Sequence, residues 1–454
     1  MDCCTQVQQS FLFIIMRFLD LFLLLVFYNL VPLWTTFTGV PVAARVVFTV
    51  VISIVYLVIL LRGEKTPLKS FRMRSLRRGL SLTWLTGASI LCEWLIIAVY
   101  IILTPRGAVA KAFSVVMPVL AVLLTFIVAI VRTAIGSKQM KLLDYLLLFI
   151  FWWLFPLNLV LLAHFFRKAR REYWFEADKA ELDISRAENE ICRTKYPIVM
   201  VHGIFFRDWQ FFNYWGRVPA ELKRNGAVVY YGNQQSARSV HDSAVELKAA
   251  VMQVIEETGA EKVNIIAHSK GGLDSRYAIS CLGMDKYVAT LTTVNTPHNG
   301  CDMVDFLLGK VPGKIADGIA RKYDRIFGRL GDSRPDFMAG VRDLSAVRMQ
   351  SLNKEMPDSP AVSYRSCMSV MKCFLSAGFP LCISYLIIKK LNGRNDGLVW
   401  EESAKHGRFR LVDTKHIRGI SHGDVIDLMR ENIEDYDVRE FYTGLVAELK
   451  REGY

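Results

Sequence analysis

The 454-residue chain changes its hydropathy pattern near residue 170. Before that point apolar residues come in long runs, near 11–33, 44–61, 81–104, 112–131 and 144–166. Each is close to the ~20 residues a helix needs to cross a bilayer, so residues 1–166 are expected to form an all-α transmembrane region of about five helices. Buried helices of a soluble core would not supply so many long runs while carrying so few acids. The first run is too long and wrongly flanked for a cleaved signal peptide. Residues 167–194 are charged and rich in helix formers, which predicts a helical connector. From 195 to 454 short apolar runs alternate with amphipathic stretches, the pattern of a doubly wound α/β sheet. Strands fit 197–201, 227–231, 262–267, 288–294, 361–365 and 408–412; helices fit 240–258, 270–281 and 424–450. The span from Gly300 to Asn392 is too long for one connection, so a helical cap insertion is expected at about 301–392. Its apolar piece Met368–Ile388 resembles a further crossing. Lys372, Gly378 and Pro380 interrupt it, and a cap or lipid-contact surface is the better expectation.

Charge divides the chain at the same place. The formal net charge is +13, and residues 1–171 carry all of that excess, with 18 Lys or Arg against five acids. The basic balance points to a membrane surface as partner and gives no support to nucleic-acid binding. Arg62, Lys65, Lys69, Arg72, Arg74, Arg77 and Arg78 crowd the loop between the second and third runs, which marks that loop as cytoplasmic. Counting five crossings of a cell membrane then puts the domain after 195 on the extracytoplasmic side. If the fifth run, interrupted by Pro156 and Asn158, is interfacial instead, the domain faces the cytosol, the side that Arg167, Lys168, Arg170 and Arg171 prefer. Arg17 and Asp20 lie three apart in the first run and are placed to pair. Glu93 stands alone in the third.

Candidate chemistry gathers after residue 195. Lys262–Ala267 is a β-branched run that ends at Ala267-His268-Ser269-Lys270-Gly271, the small-x-Ser-x-Gly pattern of a nucleophile elbow. Small residues are needed two positions either side of the serine because strand and helix backbones approach closely at the turn. A serine hydroxyl needs an imidazole to take its proton, and a buried carboxylate must fix that imidazole's tautomer. Downstream come Asp396, in the turn-rich Gly393–Val399, and His422, in Gly419-Ile-Ser-His-Gly-Asp424, in the chain order Ser, Asp, His of an α/β-hydrolase. His416 is a rival to His422, but its setting reads as the end of a strand. Pro197–Val201 is a short strand running into His202-Gly203, where a loop can offer an amide to a developing oxyanion. The expected donors are the Ile204 and Lys270 amides, with Phe205 as an alternative to Ile204.

At these residues the chain resembles the bacterial secreted triacylglycerol lipases and their membrane or organelle relatives. The matching pieces are Tyr196–Gly203, Tyr214–Leu222, Gly259–Tyr277, Thr292–Gly300 and Asn395–Val399. The resemblance implies an α/β-hydrolase fold, Ser269 as nucleophile, Asp396 as orienting acid, His422 as general base, and Ile204 and Lys270 as oxyanion donors. It also brings departures. Ala267 stands where many members have Gly. Asp424 matches one position of the calcium site some relatives hold, without convincing matches for the rest, and calcium is left unassigned. Lys270 adds a charge beside the nucleophile and is expected to lie with a solvated tip. Nine cysteines without metal-ligand spacing argue against a zinc site; Cys3 and Cys4 are candidates for acylation, and Cys367, Cys373 and Cys382 for a disulfide in an oxidising compartment. The expected protein is a membrane-anchored serine esterase or lipase acting on a lipid or ester substrate, with no cofactor. Acyl transfer from the same site and a non-catalytic partner module are the alternatives.

Overall fold

The computed structural model describes residues 3–64, 66, 68, 70–103, 107–204, 213–235, 237–310, 313–329, 332 and 335–454. They form two compact units, Met1–Ser185 and Arg186–Tyr454.

The first unit is helical: α1 (Cys3–Tyr28), α2 (Leu30–Thr36), α3 (Val42–Leu61), α4 (Phe71–Leu103), α5 (Ala108–Gly136), α6 (Leu142–Ile150) and most of α7 (Leu157–Arg186). Among the described residues α3, α4 and α5 are long and apolar enough to cross a membrane. A fourth crossing is present if Ile14–Tyr28 and Leu30–Thr36, bent by 62°, count as one span. Asn29 makes that break: its side-chain amide donates to the Leu25 carbonyl (2.9 Å) and to Glu93 (2.7 Å), so Glu93 is not alone. The fifth expected run is two pieces. The helix stops at Ile150, Pro156 has no N–H to continue it, and the Asn158 side chain donates to the Trp152 carbonyl. The nine-residue α6 and the apolar start of α7 are each too short to cross. Asp20 does not pair with Arg17; it is bound by Arg62 (2.6 Å) and the buried Arg78 (3.0 Å). Gly79 and Gly136 let α4 and α5 touch, since a Cβ at Gly136 would lie 2.7 Å from the Leu76 backbone.

The second unit is built on a six-stranded parallel sheet in the order β2-β1-β3-β4-β5-β6. In chain order it runs β1 (Ile198–Val201), α8 (Val218–Arg224), β2 (Val229–Tyr231), α9 (Val240–Thr258), β3 (Val263–His268), α10 (Lys270–Cys281) and β4 (Val288–Val294). Then come α11 (Asp302–Lys310), α12 (Gly313–Arg329), α13 (Phe337–Asp343), α14 (Ala346–Glu355), β5 (Ser363–Ser369), α15 (Leu381–Leu391), α16 (Glu401–Ala404), β6 (Arg408–Val412) and α17 (Val438–Arg451). β1, β3 and β4 are buried along their whole length, as parallel strands covered on both faces must be. Alternate residues feed two cores. Ile198, Met200 and Ile266 pack with Trp215, Val218 and Leu222 of the α8 side and with Tyr442, Val446 and Leu449 of α17. Val199, Val201, Ile265 and Ala267 pack with Leu247 and Val251 of α9 and Ile279 of α10.

One expectation changes here. Between Gly300 and Asn392, α11 to α14 precede β5, which falls near the strand expected at 361–365, and α15 follows it. The helix expected at 424–450 is a short 3-10 turn at Asp424–Ile426 and then α17 from Val438, with Asp427, Arg430 and Asp435 at positive φ breaking the stretch between them. Met368–Ile388 forms no crossing; it contains the end of β5, a turn and the start of the eleven-residue α15.

Candidate active site

The strand order reverses at β1, which lies between β2 and β3, and a parallel sheet opens a crevice at the carboxyl ends of its strands beside such a point. β1 delivers His202-Gly203 there and β3 delivers Ser269. β3 ends at His268 and α10 begins at Lys270, so Ser269 alone makes the turn. Its backbone sits at φ +53° and ψ −130°, a conformation that costs a non-glycine residue about 1–3 kcal/mol. The neighbourhood holds it: the Ser269 N–H donates to the Val294 carbonyl (3.0 Å), and the Ser269 carbonyl accepts from Gly272 N–H (3.1 Å) and the Thr296 hydroxyl (2.8 Å). Gly271 is required by close approach, since a Cβ there would lie 2.3 Å from the His202 carbonyl oxygen. A Cβ on Gly203 would lie 2.8 Å from the Ser269 Cβ, so the loop after β1 reaches the serine itself.

Asp396 and His422 meet at the same edge, beyond β5 and β6. The Asp396 side chain is fully buried; its Oδ2 is 2.6 Å from His422 Nδ1, and its Oδ1 accepts from the Leu398 and Val399 amides at 2.8 Å each. The His422 N–H donates to the Asp396 carbonyl (2.8 Å), so ring and backbone are both anchored. The rival His416 lies instead beside Glu434, at 3.5 Å. Ser269 and His422 are 7% and 8% exposed, so the site is nearly closed to solvent. Ile204 is buried immediately after Gly203, and among the described residues neither the Ile204 nor the Lys270 amide has an intramolecular acceptor. Phe205 lies outside the described residues.

The Lys270 side chain overturns the expectation of a solvated tip. It is buried, with Nζ 2.7 Å from Asp274 and 2.9 Å from the Ser243 hydroxyl. Burial pushes the Asp274 carboxyl up to about 7, against the pull of Lys270. Asp424 is likewise engaged, with Arg418 at 3.2 Å and the Ser421 amide at 3.0 Å. Burial pushes the Cys301 and Cys367 thiols up to about 12, so neither offers a thiolate near neutral pH. Cys367, Cys373 and Cys382 are free thiols, without a disulfide.

Two supporting residues escaped the sequence reading. Gly203 N–H donates to the Tyr214 hydroxyl (3.0 Å), and that hydroxyl is 2.6 Å from His268 Nδ1. The hydroxyl thus sits between the Gly203 amide and the His268 ring. Tyr214 ties the loop after β1 to the turn at Ser269. The His268 ring lies tilted against that of His422, with centroids 4.5 Å apart, and burial together with His422 keeps it well below the ordinary histidine range. Next along, Gly216 at φ +52° lies against Asp427, which Arg217 grips through Nε and Nη2 at 2.8 Å each, pinning the chain after His422. The signal for Tyr214, Gly216, Arg217 and His268 lay in the Tyr214–Leu222 and Gly259–Tyr277 stretches, which carried the resemblance but gave these residues no role, and Asp427 carried no signal.

A family profile for palmitoyl protein thioesterase matches residues 197–329. A triacylglycerol lipase from Burkholderia plantarii is 33% identical over 196 residues, 40% of this chain and 54% of the relative. One from Pseudarthrobacter phenanthrenivorans is 33% identical over 189 residues, 39% of this chain and 58% of the relative. The chain thus spans little more than half the length of these curated relatives. Among solved structures, the mature Bacillus licheniformis lipase BlEst2 aligns at 24% identity and a TM-score of 0.41, covering 52% of this chain and 88% of that one. Behind its apolar helices, the chain carries an α/β-hydrolase fold similar to that of the triacylglycerol lipases.

Proposed function

We propose that this protein is a membrane-anchored serine hydrolase of carboxylic esters, most directly a lipase acting on glycerolipids. The observation that carries the reading is the buried Asp396–His422 pair at 2.6 Å, at the same sheet edge as a serine held at positive φ. Ser269 Oγ attacks the ester carbonyl carbon while His422 takes its proton. The tetrahedral oxyanion is received by the Ile204 and Lys270 amides. Collapse breaks the bond to the leaving alcohol, which takes the proton from His422 and leaves an acyl-Ser269. Water, deprotonated by His422, releases the carboxylic acid and restores the serine. Asp396 holds His422 in the tautomer with Nδ1–H and stabilises the imidazolium. The scheme calls on no cofactor.

A second reading is favoured by the match to the palmitoyl protein thioesterase profile: the same steps on a thioester, with a thiol leaving. Acyl transfer differs only in the final acceptor, and a non-catalytic module would need none of this chemistry. The test incubates the full-length protein in detergent micelles with diacylglycerol, phospholipid or S-palmitoyl peptide. Release of fatty acid from a glycerolipid, lost in Ser269→Ala, supports the lipase. Release from the peptide alone moves the reading to the thioesterase, and release from none defeats both.

The catalytic unit is proposed to face the cytosol. Outward placement needed a fifth crossing at 144–166, and that run is broken. From the basic loop at 62–70, the two crossings by α4 and α5 return the chain to the cytoplasmic side, where Lys138, Lys141, Arg167, Lys168, Arg170 and Arg171 follow.

A further inference from the structure

The catalytic unit carries an apolar ridge that the proposed chemistry does not use. It consists of the turn at Phe374–Ser376, Phe379 and the outer face of α15. Phe374, Leu375, Phe379, Ile383, Leu386 and Leu391 are 49%, 73%, 82%, 51%, 51% and 57% exposed. Ser384, Tyr385 and Ile388 make the opposite, buried face of α15, so the helix is seated on its own unit while its outer face has no cover there. Single exposed leucines are ordinary; six large apolar side chains within eighteen residues form a patch that marks an interaction site.

The charges around the ridge select its occupant. Residues 359–395 contain no Asp or Glu, against five basic residues. Arg365 is buried on Glu452, Lys372 lies 3.2 Å from Asp413, and Arg394 lies 3.6 Å from Glu401. Lys389 and Lys390, in the last turn of α15, are exposed, and Lys389 leans over the Tyr385 ring at 5.3 Å. Near this helix Asp302 of α11 receives the Asn392 amide. An apolar wedge with lysines at its border matches an amphipathic helix lying in a bilayer interface, where acyl chains receive the apolar face and lipid phosphates the ammonium groups. The same chain has helices long and apolar enough to cross a membrane, so a lipid surface is available to it.

We infer that the ridge at Phe374–Leu391 is a second membrane contact, monotopic and distinct from the spanning helices, and that it prefers anionic lipid. Phe379 and Leu375 enter the acyl region, and Lys389 and Lys390 stay at the phosphate level. This does not depend on the catalytic reading.

The test places the full-length protein in phosphatidylcholine nanodiscs, with or without phosphatidylglycerol. Acyl chains carrying a photoactivatable diazirine are cross-linked, and the adducts are mapped by mass spectrometry. Adducts on the 374–391 peptide, in addition to those on α3 to α5, are expected. Their yield should rise with phosphatidylglycerol, a rise lost in Lys389→Gln/Lys390→Gln. Leu375→Asp/Phe379→Asp should remove the peptide's adducts while cleavage of a water-soluble ester stays at the wild-type rate. Adducts on α3 to α5 with none on 374–391 overturn the proposal, as does a cross-link from this peptide to a second copy of the chain in place of lipid. Equal yields with and without phosphatidylglycerol overturn the anionic preference.

Discussion

At the scale of single residues, the site is defined by groups that each satisfy a neighbour. At Ser269, Asp396 and His422 the sequence showed what the proposed chemistry would impose: a residue type, a local turn and a chain order. The contacts of the Tyr214 hydroxyl and of the Lys270 side chain left no such sign, because hydrogen-bond partners distant in sequence leave no periodic trace. Lys270 was misread for the same reason: a lysine beside a catalytic serine is solvated by default, and only the fold brings Ser243 and Asp274 to it. Removing one member of such a buried pair strands the other. Lys270→Met should therefore cost about 3–5 kcal/mol in thermal unfolding, and Lys270→Met/Asp274→Leu should recover most of it; equal losses in the two variants would show that the pair is not coupled. The buried histidines give the pH dependence. Burial lowers His268 and His298 well below their ordinary 6.5, so the unfolded chain binds protons that the folded one refuses. Their stabilisation is full above that value and is lost as pH falls below it, by about 1.4 kcal/mol per pH unit for each residue. His298→Gln should flatten the acid slope of stability by about that amount, and parallel slopes would contradict it.

At the scale of elements, the buried strands at the centre of the sheet and the two amphipathic helices Val240–Thr258 and Lys270–Cys281 were the most legible. Parallel strands buried on both faces are short apolar runs with hard ends, so β1, β3 and β4 fall within a residue or so of their expected limits. Three of the apolar runs in the first unit, now α3, α4 and α5, are helices long enough to cross, whereas the bend at Asn29 and the interruption between Ile150 and Leu157 leave no mark in the hydropathy of the first and fifth runs. The 424–450 stretch failed differently: its charged, helix-favouring residues concealed three positive-φ positions. Close approach at the elbow gives a direct test. Gly271→Ala brings a methyl against the His202 carbonyl, and the separation it forces should destabilise the fold by about 1–3 kcal/mol and misplace the Lys270 amide. A variant with wild-type stability and activity would mean that strand and helix are not in contact there. Topology has its own check in the exposed Cys281. A membrane-impermeant maleimide should label it only after permeabilisation, with Cys281→Ser as control; labelling of intact cells would place the catalytic unit outside.

At the scale of the whole molecule, the net charge separates two physical problems within one chain. Residues 1–171 carry the basic excess, the pattern expected of loops beside a membrane, which are held by anionic surfaces and sorted by positive charge. The chain after residue 171 is close to neutral, and the second unit relies on two cores over a sheet, with Ser269, Asp396 and His422 at one edge. Fold alone does not fix activity, and the central claim is that Ser269 is an activated nucleophile. Labelling of the detergent-purified full-length protein with a fluorophosphonate tests this most directly, with Ser269→Ala and His422→Ala alongside. The account predicts a labelled wild type, no labelling in Ser269→Ala, and labelling slowed by a factor on the order of 10³ or more in His422→Ala. A folded wild type that stays unlabelled, or a Ser269→Ala variant that labels as the wild type does, would contradict it.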